Sequence, residues 1–463
     1  MVAHPVEDLR EVGRGLQAMK KREFPARQKV STSVSRHEPR RQDVPALTGL
    51  RFIAAFSVLV GHGFSWILQT HETPWGVIYW VSQISGFGMT LFFVLSGFVI
   101  HYNYGSLVTE GRLRGIATFL WARFARLYPL FLLMMLVYVL LSSRTFDLLA
   151  GHPERFGSIL RAFPYFLFSI HSWVYVLIDK TPLIDAIGGG SPITWSISTE
   201  WFFYFAYLCI ASLILRARTP QHTILFALLW CTLWIAISSG LYDRSALIDA
   251  WAVQHFGPIA GMQEHPQDSF VRWLLYFSPY LRCGEFMLGT LMAQLYVNLE
   301  KRPISDRENL MGTVAFFAAA ASVMVITYLN YSPEVGMNIF RKMNMNFALA
   351  PTAALLIFCG ARYKNAASRT LMWRPIVLFG EASYSIYLVH DVVLASAVKL
   401  TGSAMHSIAY DLVKLVLLLT AVLLISLTLY AYYEAPARKW LRGGRGTRPS
   451  QATLADASKA SAF

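Results

Sequence analysis

GLRFIAAFSVLVGHG, residues 49–63, opens the first long apolar run of the chain and holds two ionisable side chains, Arg51 and His62. Eleven residues of α-helix are about three turns and about 16 Å along the axis, so both side chains share one helical face. The apolar run extends over about 47–69, and about 20 such residues are what a helix needs to cross the hydrocarbon core of a bilayer. An arginine at one rim and a histidine near mid-depth are expensive there, so each is a functional candidate.

Working outward, the composition repeats the message of this first run. Of 463 residues, 55% are apolar and only 15% are charged, against about 45–50% and about 25% in soluble domains. A disordered chain, an acidic chain and a string of soluble domains are all excluded. Ten further runs follow, at about 78–102, 118–142, 157–177, 195–216, 222–241, 270–297, 310–330, 346–361, 374–399 and 407–433. Basic connections include Arg112 and Arg114, Arg216 and Arg218, Lys301, Arg302 and Arg307, and Arg362, Lys364, Arg369 and Arg374. The positive-inside rule puts all of them in the cytoplasm if 157–177, broken by Pro164, stays in the outer half or re-enters.

The expected fold is therefore all-α, a polytopic membrane helical bundle of about ten transmembrane helices plus one re-entrant or peripheral segment. Both termini are cytoplasmic, and the lipid partner is the plasma membrane. Residues 1–45, with ten Lys+Arg and six Asp+Glu, read as a basic flexible arm. Residues 46–434 form the transmembrane domain, and 435–463 a basic solvated tail. The 242–269 connection falls outside. The net charge of +14 is accounted for by cytosolic loops and tails, so nucleic acid is not invoked. Cys209, Cys231, Cys283 and Cys359 lie in apolar stretches without CxxC spacing and read as core residues.

Polar residues inside the runs mark the candidate site. ARFARLYPL (122–130) sets Arg123 and Arg126 on one face at the cytosolic start of the third span, a pairing that suits a phosphate or pyrophosphate or, equally, anionic lipid headgroups. ITWSISTEWFFYF (193–205) carries Ser196, Ser198 and Glu200 near the outer end of its span, where a carboxyl among aromatic rings calls for a cationic partner or for protonation. FGEASYSIYLVHDVV (379–393) places Ser383, Tyr384, Tyr387 and His390 along one helical stripe, which a buried hydrogen-bonded seam would also explain. FFVLSGFVIHYNYG (92–105) brings Ser96 and Gly97 into the second span as a close packing site, and LRCGEFMLG (281–289) sets Arg282 and Glu285 where mutual pairing is the cheapest way to bury both. No serine-hydrolase elbow, HExxH, Walker or dinucleotide fingerprint is present, and a histidine is the default general base.

Over about residues 45–440 the chain resembles the integral-membrane acyltransferases of family three. The resemblance rests on the Arg51…His62 spacing, SGFVI around Ser96, the RxxR of Arg123 and Arg126 followed by Pro129, WSISTEWFFY around Glu200, GEASYSIYLVH ending at His390, and YEAPARKW with Glu434, Pro436 and Arg438. It implies transfer of an acyl group, most often acetyl, from acyl-CoA to a hydroxyl of a cell-surface or lipid-linked saccharide, or of a small, macrolide-like alcohol. His62 and Glu200 are then the candidate catalytic residues, and Arg51, Arg123 and Arg126 hold the acyl-CoA co-substrate. Ser96, Ser383, Tyr384 and His390 bind the acceptor, with Glu200 beside them nearer the outer end, and no metal is expected. A permease or flippase for a lipid-linked saccharide is the alternative, and it would consume no acyl-CoA.

Overall fold

The computed structural model describes residues 44–443 apart from 71–74, 111, 152, 189–190, 332–334 and 402–406. All but the last two positions of the arm expected over 1–45 lie outside the described residues, as does the tail from 444 onward. The first half of the chain forms α1 (Pro45–Thr70), α2 (Trp75–Glu110), α3 (Arg112–Leu141), α4 (Pro153–Leu167), α5 (Trp195–Ile214), α6 (Pro220–Asp243) and α7 (Ser245–Phe256). The second half forms α8 (Pro279–Leu299), α9 (Asp306–Tyr331), α10 (Ala350–Arg362), α11 (Arg374–Glu381), α12 (Ser383–Thr401), α13 (Ile408–Leu429) and α14 (Ala435–Leu441). Among the described residues the only sheet is a hairpin pairing Leu177–Ile178 with Thr181–Pro182.

The architecture is an all-α polytopic bundle. Among the described residues seven helices are long and apolar enough to cross a bilayer, and α11 with α12, bent by 69° at their junction, would add an eighth. The ten crossings expected from sequence include two runs, 270–297 and 346–361, that the structure shortens. The first breaks at Ser278, where a π-helical turn over Trp273–Phe277 stops and Pro279 opens α8; proline has no N–H to give a preceding turn and so begins a helix. Every residue of α8 from Leu281 to Leu291 is buried, so this helix meets other helices rather than lipid and tolerates charge. The second run yields only the 13 residues of α10, about 20 Å, behind a string of turns over 343–349.

Residues 157–177, expected not to cross, contain the end of α4, a 15-residue helix with Pro164 inside it, followed by turns. His171 is stacked on Phe166 with ring centroids 4.0 Å apart, and its Nε2 lies 3.1 Å from Thr194 Oγ1. Burial lowers its pKa to about 3, so the ring stays uncharged at neutral pH. The 242–269 connection is more ordered than expected, since it contains α7. It packs on the hairpin region through Tyr175, whose ring meets Phe256 at 5.1 Å and Phe270 at 5.2 Å and whose hydroxyl donates to Asp268 O at 2.9 Å.

At the opposite end of α6 the basic connections meet. Arg362 bonds Glu308 at 2.9 Å and donates to Leu299 O at 2.8 Å, while Asn298 Nδ2 donates to Ala217 O at 2.8 Å. Residues 435–441, assigned from sequence to the solvated tail, instead form α14. A π-helical turn over Tyr430–Glu434 joins it to α13, and Trp121 Nε1 pins it by donating to Leu441 O at 2.9 Å.

Two interhelical contacts fix the centre of the bundle. A Cβ at Gly97 would lie 1.9 Å from Phe286 O, and one at Gly289 would lie 2.0 Å from Val94 O, so α2 and α8 touch backbone to backbone. That is the close approach expected around Ser96 and Gly97, and small residues permit it. Beside this contact Arg282 Nη1 meets Glu285 Oε1 at 3.0 Å, Thr90 Oγ1 donates to the same oxygen at 2.7 Å, and Arg282 Nε donates to Tyr276 O at 2.8 Å. The mutual pairing expected of these two residues is present.

Candidate active site

A cavity of about 720 Å³, the solvent at its mouth included, opens between α1, α2, α3, α5 and α12. Nine residues singled out from sequence line it: Arg51, Ser96, Arg123, Arg126, Ser196, Glu200, Ser383, Tyr384 and Tyr387. They come from five helices, and the rest of the wall is largely apolar. Apolar walls with a few convergent polar groups are the usual composition of a small-molecule site.

Its charge is unbalanced. Arg123 donates from Nη2 to Tyr104 OH at 2.8 Å and lies over the Tyr104 ring at 4.6 Å, while its Nε is buried without a partner. Arg51 and Arg126 make no hydrogen bond to another described residue, and both feel the charge of Arg123 and of Glu200. Three guanidiniums thus share one carboxylate of the cavity wall. Glu200 is itself held in place: Ser96 Oγ donates to its Oε1 at 2.7 Å and Tyr204 OH at 2.6 Å. A partly buried cationic excess with open guanidinium donors is a site for a polyanion such as a phosphate.

The wall of the cavity ends at Tyr387, whose hydroxyl donates to Ile193 O at 2.8 Å and accepts from Ser196 Oγ at 2.8 Å. One turn further along α12, about 4.5 Å, His390 Nε2 lies 3.0 Å from His62 Nδ1, and the two rings are 5.1 Å apart. Gly61 and Gly63 bracket His62 for a physical reason: a Cβ at Gly61 would lie 2.8 Å from Ser85 N, and one at Gly63 would lie 2.6 Å from Leu415 Cδ1. A donor set of His62, His390 and Asp391 falls within 4.8 Å.

Residues 44–431 match the family described as "Acyltransferase domain". The chain belongs to this family. It is a membrane O-acyltransferase. It is similar to the acyltransferase MdmB of Streptomyces mycarofaciens, with 25% identity over 367 residues, 79% of this chain and 82% of that protein. It is also similar to the peptidoglycan O-acetyltransferase OatA of Listeria monocytogenes serovar 1/2a, with 22% identity over 408 residues, 86% of this chain and 56% of that protein. No solved structure matches the chain.

In this acyltransferase the arrangement departs from expectation at three residues. Glu200, expected on an outer acceptor side, lies in the same cavity as the three arginines, because α5 packs its first turns against Ser96 of α2. Tyr384 gives its hydroxyl proton to Leu127 O at 2.8 Å, so it can offer an acceptor molecule only a lone pair. His390, expected to bind the acceptor, spends both ring nitrogens inside the protein, on His62 and on Tyr387 O. One cavity brings Glu200, Ser383 and Tyr384 together with the three arginines, and the histidine pair lies one turn past Tyr387.

Around these groups stand Tyr104 and Tyr204, which the sequence reading did not single out, and Glu434, which entered it only through the YEAPARKW resemblance. Tyr104 and Tyr204 fix Arg123 and Glu200. Glu434 accepts from Ser385 Oγ at 2.7 Å and lies within electrostatic reach of Arg126 and Arg438. Glu434 and Arg438 entered the sequence reading only through the resemblance of YEAPARKW, and nothing in that motif told of α12 and α3 beside them.

Proposed function

We propose that this acyltransferase moves an acyl group, acetyl in the first instance, from acyl-CoA to a hydroxyl of a cell-surface or lipid-linked saccharide in the plasma membrane, with both termini cytoplasmic. The observation that carries the reading is the cationic cavity lined by Tyr387, which stands one helical turn from His390 and so from the His62 that His390 contacts. Arg51, Arg123 and Arg126 grip the CoA phosphates, and the pantetheine arm carries the thioester toward the histidine. His62 Nε2 takes the proton of the acceptor hydroxyl as that oxygen bonds to the thioester carbonyl carbon. The tetrahedral adduct collapses, the carbon–sulfur bond breaks, and the departing sulfur receives the proton, giving the ester and free CoA. Glu200 serves as counter-ion to the arginines.

The basic connections that pack together at one end of the bundle support the cytosolic placement of the CoA mouth. A small, macrolide-like alcohol is the second acceptor class, and one assay separates the two. Purified protein is given acetyl-CoA with either a surface saccharide or a macrolide alcohol, and release of CoA is followed with the mass of the product. A general base contributes about 10²–10⁴-fold in rate. His62→Ala is expected to lose that much while still binding CoA; turnover within a few-fold of the parent would sink the proposal.

A further inference from the structure

His390 is fully buried, and the chemistry above gives it no part. Both of its ring nitrogens are nevertheless committed. Nδ1 lies 2.5 Å from the backbone oxygen of Tyr387, and Nε2 lies 3.0 Å from His62 Nδ1. A carbonyl oxygen only accepts, so His390 Nδ1 carries the hydrogen. In a neutral imidazole the other nitrogen is then a bare acceptor, and the hydrogen of the 3.0 Å contact must come from His62 Nδ1. His62 with Nδ1 protonated has its lone pair on Nε2.

We propose that His390 is a positioning residue that holds His62 in the Nδ1–H form, so that Nε2 is the atom that takes the acceptor proton. The device is anchored in backbone at each end. Its far end is a carbonyl of α12, one turn before His390, in a residue whose own hydroxyl is tied to Ile193 O. Its near end is the stretch of α1 pressed against Ser85 at Gly61 and against Leu415 at Gly63. A free neutral histidine favours the opposite, Nε2–H form, in which the attacking base would be masked. His390 gains and loses no proton itself. Aiming a histidine through its second nitrogen is the usual way a protein selects a tautomer.

The inference rests on His62 as the base, and the test separates the two. His390→Leu removes the acceptor. His390→Gln restores one, because its Oε1 is as many bonds from Cα as Nε2 is. For acetyl transfer, the Leu variant is expected to lose about 10–100-fold in kcat, the range typical of an orienting partner, with KM for acetyl-CoA and melting temperature unchanged. The Gln variant is expected to recover to within a few-fold. Nitrogen NMR of histidine-labelled protein, with the His62 signal identified by its loss in His62→Ala, should show Nδ1–H in the parent and Nε2–H in the Leu variant.

Parental kcat in a folded Leu variant, or an Nε2–H form of His62 in the parent, overturns the positioning role. So does one zinc per chain that co-purifies with the parent and is lost in the Leu variant, because His62, His390 and Asp391 would then be metal ligands. If the Leu variant does not fold, the parent spectrum and the Gln variant decide. An active His62→Ala removes the base reading itself, whereas an inactive His62→Ala beside a fully active His390→Leu removes only the inference.

Discussion

Arg282 and the three cavity arginines are held in this bundle on opposite plans. Arg282 is closed on itself: it has a carboxylate at 3.0 Å, a carbonyl at 2.8 Å, and the rings of Tyr276, Trp195 and Phe93 with centroids at 4.5, 5.5 and 5.8 Å. Its partner Glu285 also takes the hydroxyl of Thr90. Arg51, Arg123 and Arg126 have one carboxylate in the cavity wall among them, and that carboxylate already accepts two hydroxyl hydrogen bonds. In a low-dielectric interior a charge without a partner is costly. An arginine paired with its own carboxylate therefore reads as framework, although Glu285 Oε2 keeps no hydrogen-bond partner, and a group of arginines short of carboxylates reads as a seat for something that arrives.

The largest effect that would break this contrast lies in the closed cluster. Arg282→Ala leaves Glu285 buried without its cation, and breaking such a pair costs about 3–5 kcal/mol. Thermal unfolding in detergent should fall accordingly, while turnover per folded molecule stays near parental. A change below about 1 kcal/mol would mean that the closed cluster is not framework. Arg126→Lys sharpens the other side: it keeps the charge but loses the planar fork. Hydrogen bonds to charged groups are worth about 1.5–3 kcal/mol, so CoA should bind about 10–100-fold more weakly, by titration calorimetry, with the melting temperature unmoved. Unchanged CoA affinity would make the patch a lipid anchor. The smallest effect is expected from Tyr204→Phe, which removes one of two donors to Glu200 and costs about 1 kcal/mol, a few-fold in kcat/KM. A loss as large as that of Arg126→Lys would show Glu200 to be more than a counter-ion.

Sequence reading reached the three cavity arginines because charge within apolar runs is rare enough to be conspicuous, and periodicity put Arg123 and Arg126 on one face. It also found the Arg282–Glu285 pair, which is local to one helix. What it missed depends on contacts between distant segments. His62 and His390 meet across 328 positions of chain, and spacing along one helix carries no sign of a partner on another. The stripe Ser383, Tyr384, Tyr387, His390 was visible as a stripe, but which neighbour each member would face was not, so His390 was grouped with the acceptor. The same limit explains 270–297, where an apolar window concealed the break at Ser278, and 435–441, where a basic composition concealed a helix held by Trp121.

The 69° bend between α11 and α12 starts a helix in the interior of the bundle, and its first two residues, Ser383 and Tyr384, border the cavity. The first turn of any helix has amide groups with no carbonyl partner inside the helix, and the aligned peptide dipoles give that end roughly half an elementary positive charge. Side-chain variants at the arginines leave this contribution untouched, because it belongs to the main chain. The cavity would keep a residual pull on anions even with every arginine neutralised.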